Sequence, residues 1–105
     1  MMQDFIKVCD EIEIIEGKIM TAEIKEHPIA IARYEGKLFA VDNICTHDGG
    51  HLGEGNVIKG QVQCPRHGAR FDLKNGQVTR MPAILGIGTY AVKIENGQVF
   101  VAISE

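Results

Sequence analysis

An antiparallel all-β domain is what this sequence predicts, and three observations predict it. Apolar and β-branched residues come in short runs, those runs are separated by turn signals such as Asn75-Gly76 and Asn96-Gly97, and no stretch holds a helical period. Asn-Gly between β-prone runs favours a hairpin, because a type I′ turn needs positive φ at both central residues.

Taken in order, residues 5–9 and 18–24 are the first two expected strands. Residues 29–34 and 37–43 flank Glu35-Gly36 and read as a hairpin with a two-residue turn. Residues 56–64 read as one further strand. Residues 69–73 and 77–80 flank Asn75-Gly76, and residues 90–95 and 98–103 flank Asn96-Gly97. The phrases around the Gly-containing turns look alike, but their irregular spacing makes them reused turn chemistry rather than a repeat.

Three stretches break this rhythm. Residues 45–55, CTHDGGHLGEG, hold four glycines, and residues 64–68 read CPRHG; both are expected to be loops. Residues 81–88, MPAILGIG, are apolar yet rich in turn residues, so they are expected to lie over something instead of pairing in a sheet.

A chain of 105 residues suits one domain, here taken as 1–105 with no internal linker. The apolar share of 45% and charged share of 24% are those of a globular protein. A net charge of −3 argues against nucleic-acid binding. The charge is uneven, however: residues 57–80 carry Lys59, Arg66, Arg70, Lys74 and Arg80 against the single acid Asp72. That basic segment is either an ordinary solvated surface or a face that steers an acidic partner. No run approaches the ~18 apolar residues of a membrane span, and no secretory signal is expected. Three cysteines make an odd count, which favours a reducing, cytoplasmic setting in which paired Cys and His mean metal.

The chemistry-bearing pattern is Cys45-x-His47, sixteen intervening residues, then Cys64-x-x-His67. Each loop offers one thiolate and one imidazole. Thiolates suit soft centres and iron–sulfur clusters, whereas imidazole suits zinc and iron alike. Finger-type zinc sites order a Cys pair before a His pair, so alternating Cys-His pairs fit zinc poorly, though a structural zinc module stays open. Gly49, Gly50 and Gly68 would let backbone amides approach a ligand closely.

With these motifs, CTH…CPRHG, the chain resembles the Rieske family, and its whole length is similar to the small ferredoxins of bacterial ring-hydroxylating dioxygenase systems. The resemblance implies a Rieske [2Fe–2S] cluster with Cys45 and Cys64 on one iron and His47 and His67 on the other. It also implies a β sandwich or barrel base, capped by a small cluster-binding subdomain at about 43–81. Met81-Pro82-Ala83 would match the family's proline loop, shielding the cluster while leaving a His edge exposed. The implied role is one-electron transfer from a flavoprotein ferredoxin reductase to a terminal oxygenase, with no catalysis by the chain itself. High-potential relatives carry an extra Cys in each ligand loop, where this chain has Gly50 and Arg66, and Ser and Tyr hydroxyls where it has Ala69 and Phe71. Their absence implies a potential towards the low end of the Rieske range of roughly −150 to +300 mV. The rival role is the Rieske-type small subunit of an assimilatory nitrite reductase.

Other reactive residues read as structural. Cys9 sits in an apolar run and behaves as a small hydrophobe. His51 is read as surface, and His27, before Pro28, as a turn residue opening a strand.

Overall fold

Strand β3 (His27–Tyr34) is buried on both of its faces, and that fact organises the molecule. Its core run is Ile-Ala-Ile-Ala, and successive side chains of a strand point to opposite sides. Ile29 and Ile31 therefore enter one hydrophobic cluster, while Ala30 and Ala32 enter another. Strand β4 (Lys37–Asp42) repeats the division: Ala40 joins the isoleucines and Val41 joins the alanines. A run without alternation is what two covered faces produce.

The computed structural model describes residues 4–46, 50–66, 68–81, 83 and 85–103. Among these there is no α-helix, only two single 3₁₀ turns at Glu11–Glu13 and Leu52–Glu54. The central sheet runs in the order β2 (Ile19–Ile24), β3, β4 and β9 (Thr89–Tyr90). A three-stranded sheet of β1 (Asp4–Asp10), β11 (Gln98–Ile103) and β10 (Val92–Glu95) supplies Cys9, Val99, Val101 and Ile103 to the cluster on the isoleucine side. A third sheet is formed by β5 (Asn56–Ile58), β6 (Gln61–Gln63), β7 (Arg70–Asp72) and β8 (Val78–Arg80). From it Val62 and Phe71 pack on the alanine side, together with Cys45 and Cys64. All the strand ladders are antiparallel, as expected.

Turn chemistry follows the expectation in part. Glu35-Gly36 and Asn96-Gly97 have positive φ at both positions, as a two-residue hairpin turn requires. At Asn75-Gly76 only Gly76 does, so this hairpin closes through a longer loop. There the Asp72 carboxylate accepts from the Lys74 amide, and the Asn75 side chain accepts from the Gln77 amide.

Three elements differ from the sequence reading. Residues 56–64 are a hairpin, β5 and β6, because Lys59 (φ 49°) and Gly60 (φ 78°) reverse the chain. Residues 90–95 are divided at Ala91: Tyr90 pairs with β4 in the central sheet, and Val92 opens β10 in the neighbouring one. A hairpin between β2 and β3 turns at Lys25-Glu26, with φ of 49° and 68° and no glycine. As expected, His27 opens a strand and residues 81–88 pair in no sheet where described.

Candidate metal centre

Two loops carry the candidate ligands, and each closes in the same way. In the first, the Cys45 amide donates to the Gly50 carbonyl at 2.7 Å; in the second, the Cys64 amide donates to the Ala69 carbonyl at 2.7 Å. Each cysteine thus bonds five residues ahead, which closes its loop. The second loop is tightened further by Gly68, whose amide donates to the Cys64 carbonyl at 3.1 Å and whose φ is 78°.

The first loop is anchored at its root by Asn43, a buried polar residue. Its amide donates to the Pro28 carbonyl, and its side-chain oxygen accepts from the Gly53 amide at 2.6 Å. Residues 44–52 are therefore bracketed between two fixed points. A Cβ at Gly53 would lie 2.1 Å from the Thr21 methyl carbon and 3.2 Å from the Asn43 side-chain oxygen, so a larger residue there has to displace a neighbour. Sequence reasoning missed Asn43, reading it as the last residue of the 37–43 strand, whereas β4 ends at Asp42. Its place two residues before a ligand-type cysteine was the available signal.

These loops bring Cys45 (0% exposed) and Cys64 (1%) into one apolar cluster with Leu52, Val62, Phe71, Leu73, Ala83 and Ile87. None of the chain's three cysteines is in a disulfide. His47 and His67, the other two candidate ligands, lie outside the described residues, as do Gly49 and Pro82. A pair of buried, unbridged thiol side chains, each at the head of a closed loop holding one imidazole, fits the donor set of a mixed Cys/His iron–sulfur centre.

The segment at 81–88 flanks the same cluster. Ala83 and Ile87 are buried against it, while Met81 (76%) and Leu85 (66%) face outward. The Thr46 hydroxyl, next to Cys45, donates to the Leu85 carbonyl at 2.5 Å. At the far end the Asp42 carboxylate accepts from the Gly88 amide at 2.7 Å and from the Tyr90 hydroxyl. Burial, reinforced by that bond to Asp42, pushes the Tyr90 phenol up to about 12.

Cys9 stands apart from this centre, as the sequence suggests, whereas His51 is a surface residue that lines a depression with Gly50, Pro65 and Arg66 of the two loops. Cys9 is buried in the other cluster, and burial, then Glu13 and Asp10, push its thiol up, which keeps it protonated and inert. The His51 ring is exposed, with Nδ1 3.7 Å from Glu54.

The sequence model of the Rieske [2Fe-2S] domain matches residues 4–91. The chain belongs to the Rieske family. It is 34% identical over 92 residues to the ferredoxin component of the naphthalene 1,2-dioxygenase system of Pseudomonas putida, which covers 88% of each chain. Among solved structures it resembles the Sphingomonas yanoikuyae B1 ferredoxin at 28% identity and a TM-score of 0.90, covering 96% of this chain and 100% of that one. A ferredoxin chain in a complex of reduced oxygenase and oxidized ferredoxin of carbazole 1,9a-dioxygenase matches at 28% identity and a TM-score of 0.87, covering 93% and 92%. The cofactor of this Rieske domain is accordingly a Rieske-type [2Fe–2S] cluster. Its relatives are ferredoxin components, electron carriers rather than catalysts. None of its described helices is long and apolar enough to cross a membrane.

Proposed function

We propose that Cys45 and Cys64 hold one iron of the cluster and His47 and His67 the other, within a unit spanning about 43–81. We propose further that the protein carries single electrons from a flavoprotein reductase to a terminal Rieske oxygenase in the cytoplasm. The observation that carries this reading is the pair of matching loop closures, which sets two buried cysteines of a Cys-x-His…Cys-x-x-His pattern in one cluster. The cluster, when bound, supplies a one-electron couple. Cys45 and Cys64 give thiolates from a dry, apolar floor, and the imidazoles complete a set that leaves no open position for a substrate. The apolar floor excludes water, and Arg66 and Arg70 in the basic segment offset the negative charge gained on reduction.

Docking would use the end of the molecule that carries the loops. Ile44, next to Cys45, and Met81 and Leu85, in the segment that flanks the cluster, are exposed apolar side chains, and Arg66 in the second ligand loop adds positive charge. Such a face suits a transient complex with an acidic partner, whose approach it would steer. The cytoplasmic assignment is supported by three cysteines outside any disulfide.

Electron paramagnetic resonance on the dithionite-reduced, aerobically purified protein tests the ligand set. The expected result is a rhombic signal with a mean g value well below that of all-cysteine [2Fe–2S] clusters, lost in His47→Ala or His67→Ala. A colourless, silent sample holding one zinc per chain would overturn the assignment.

A further inference from the structure

The segment 85–88 is stitched down along both sides. On one side the Gly76 carbonyl, in the β7–β8 turn, accepts from the Ile87 amide at 2.8 Å. Gly76 itself is pressed so close that a Cβ there would lie 2.0 Å from the Ile87 carbonyl oxygen. On the other side the holds come from the approach to the first ligand loop. Asp42 ends β4, three residues before Cys45, and Thr46 follows Cys45 directly. Between them they grip Leu85, Gly88 and Tyr90.

We infer that Asp42 and Thr46 are positioning residues that clamp the 85–88 segment against the Cys45 loop and thereby set how much water reaches the cluster. Strand pairing alone does not call for either side chain. The end of β4 is already joined to this segment by the Asp42 amide, which donates to the Gly88 carbonyl at 3.0 Å. The carboxylate adds two further holds, one from each oxygen, on Gly88 and on Tyr90. Gly88 leaves the room for this, since a Cβ there would lie 2.8 Å from the carboxylate. Thr46 is exposed and belongs to neither hydrophobic cluster, and its hydroxyl bonds Leu85 across 39 residues of sequence. The segment so held delivers Ile87 into the cluster that contains both cysteines.

The consequence is electrostatic. Reduction adds a negative charge, and water near the centre stabilises that charge, so a clamped, dry segment lowers the potential and a loosened one raises it. The inference rests on the ligand reading given above, but its first readout does not.

The test compares Thr46→Ala, Thr46→Ser and Asp42→Ala with the intact full-length protein. Losing one net hydrogen bond of ~1 kcal/mol corresponds to roughly fivefold faster opening, so amide exchange across 85–88 is expected to quicken about fivefold in Thr46→Ala. Asp42→Ala, which loses two holds, is expected to exceed that. Both are expected to raise the potential measured by voltammetry, and Thr46→Ser, which keeps the hydroxyl, to restore both readouts. Unchanged exchange at 85–88 in both alanine variants would overturn the clamp. Faster exchange with an unmoved potential would overturn its role in tuning. The wild-type resonance signal reports the ligand set separately, so a failed ligand reading is told apart from a failed clamp.

Discussion

Tyr90 donates its phenolic proton to the Asp42 carboxylate, and that single bond makes the protein's alkaline behaviour readable. Its pKa rises from the ordinary value of 10.0 to about 12 on folding. A group whose pKa is higher folded than unfolded adds stability below the unfolded value and loses it as pH climbs through the folded one. Stability is therefore expected to fall between about pH 10 and 12 in the wild type, while Tyr90→Phe lacks this component. Chemical denaturation across that window should show the gap between the two proteins narrowing; a constant gap would refute the assignment. A second residue-scale prediction concerns Ala69 and Phe71, both buried beside Cys64. Adding hydroxyls in Ala69→Ser/Phe71→Tyr supplies donors that favour the reduced, more negative centre, so the potential is expected to rise. A hydroxyl that bonds the centre is satisfied, so the melting temperature is expected to hold as the potential climbs, whereas a hydroxyl left without a partner costs about 1–3 kcal/mol and leaves the potential unmoved. Voltammetry paired with thermal unfolding tells the two outcomes apart.

At the scale of elements, glycines that look alike in sequence do different work. Gly36 and Gly97 occupy positive-φ turns with open space around them, so an added methyl there meets only backbone strain. Gly55 has an extended backbone that any residue can adopt, yet a Cβ there would lie 1.8 Å from the Gln63 carbonyl oxygen and 3.2 Å from Pro65 Cδ. Gly55→Ala must therefore push apart the end of the first ligand-loop stretch and the segment that leads into the second. It is expected to cost about 1–3 kcal/mol or more and to lower iron content per chain, whereas Gly36→Ala leaves iron content unchanged. Denaturant midpoints and an iron assay check this. The same contrast explains what could be read from sequence. Glu35-Gly36, Asn96-Gly97 and the two Cys/His loops announce themselves, because local backbone chemistry dictates them. Lys25-Glu26 does not, because neither residue favours positive φ, and Lys59-Gly60, of the same form as Glu35-Gly36, was hidden inside an unbroken apolar and polar run read as one strand. Asn43, Asp42 and Thr46 were likewise hidden: their partners lie 10 to 48 residues away, and only the fold makes them neighbours.

Across the whole molecule, β3 and β4 separate two hydrophobic clusters that share almost no function. The cluster on the isoleucine side is closed by β1 and β11, which hold no candidate ligand. The cluster on the alanine side is floored by small residues and filled by Cys45, Leu52, Cys64, Phe71 and Leu73, so the proposed iron ligands are part of its packing. Three-residue strands and long loops bury little surface per residue, and the proposed unit at 43–81 draws support from the metal it binds. Removing iron by chelation under reducing conditions is therefore expected to act unevenly. Amides of β5 to β8 should lose most of their exchange protection, while those of β1, β3 and β11 keep theirs, because Ile29, Ile31, Val99 and Val101 remain buried against each other. Hydrogen exchange followed by mass spectrometry on the apo and iron-loaded forms distinguishes the outcomes. Uniform loss across all three sheets would mean that the two clusters fold as one cooperative unit and that 43–81 has no independence. Retained protection in β5 to β8 would mean that the third sheet is held by Phe71 and its neighbours alone, with the metal contributing nothing to its folding.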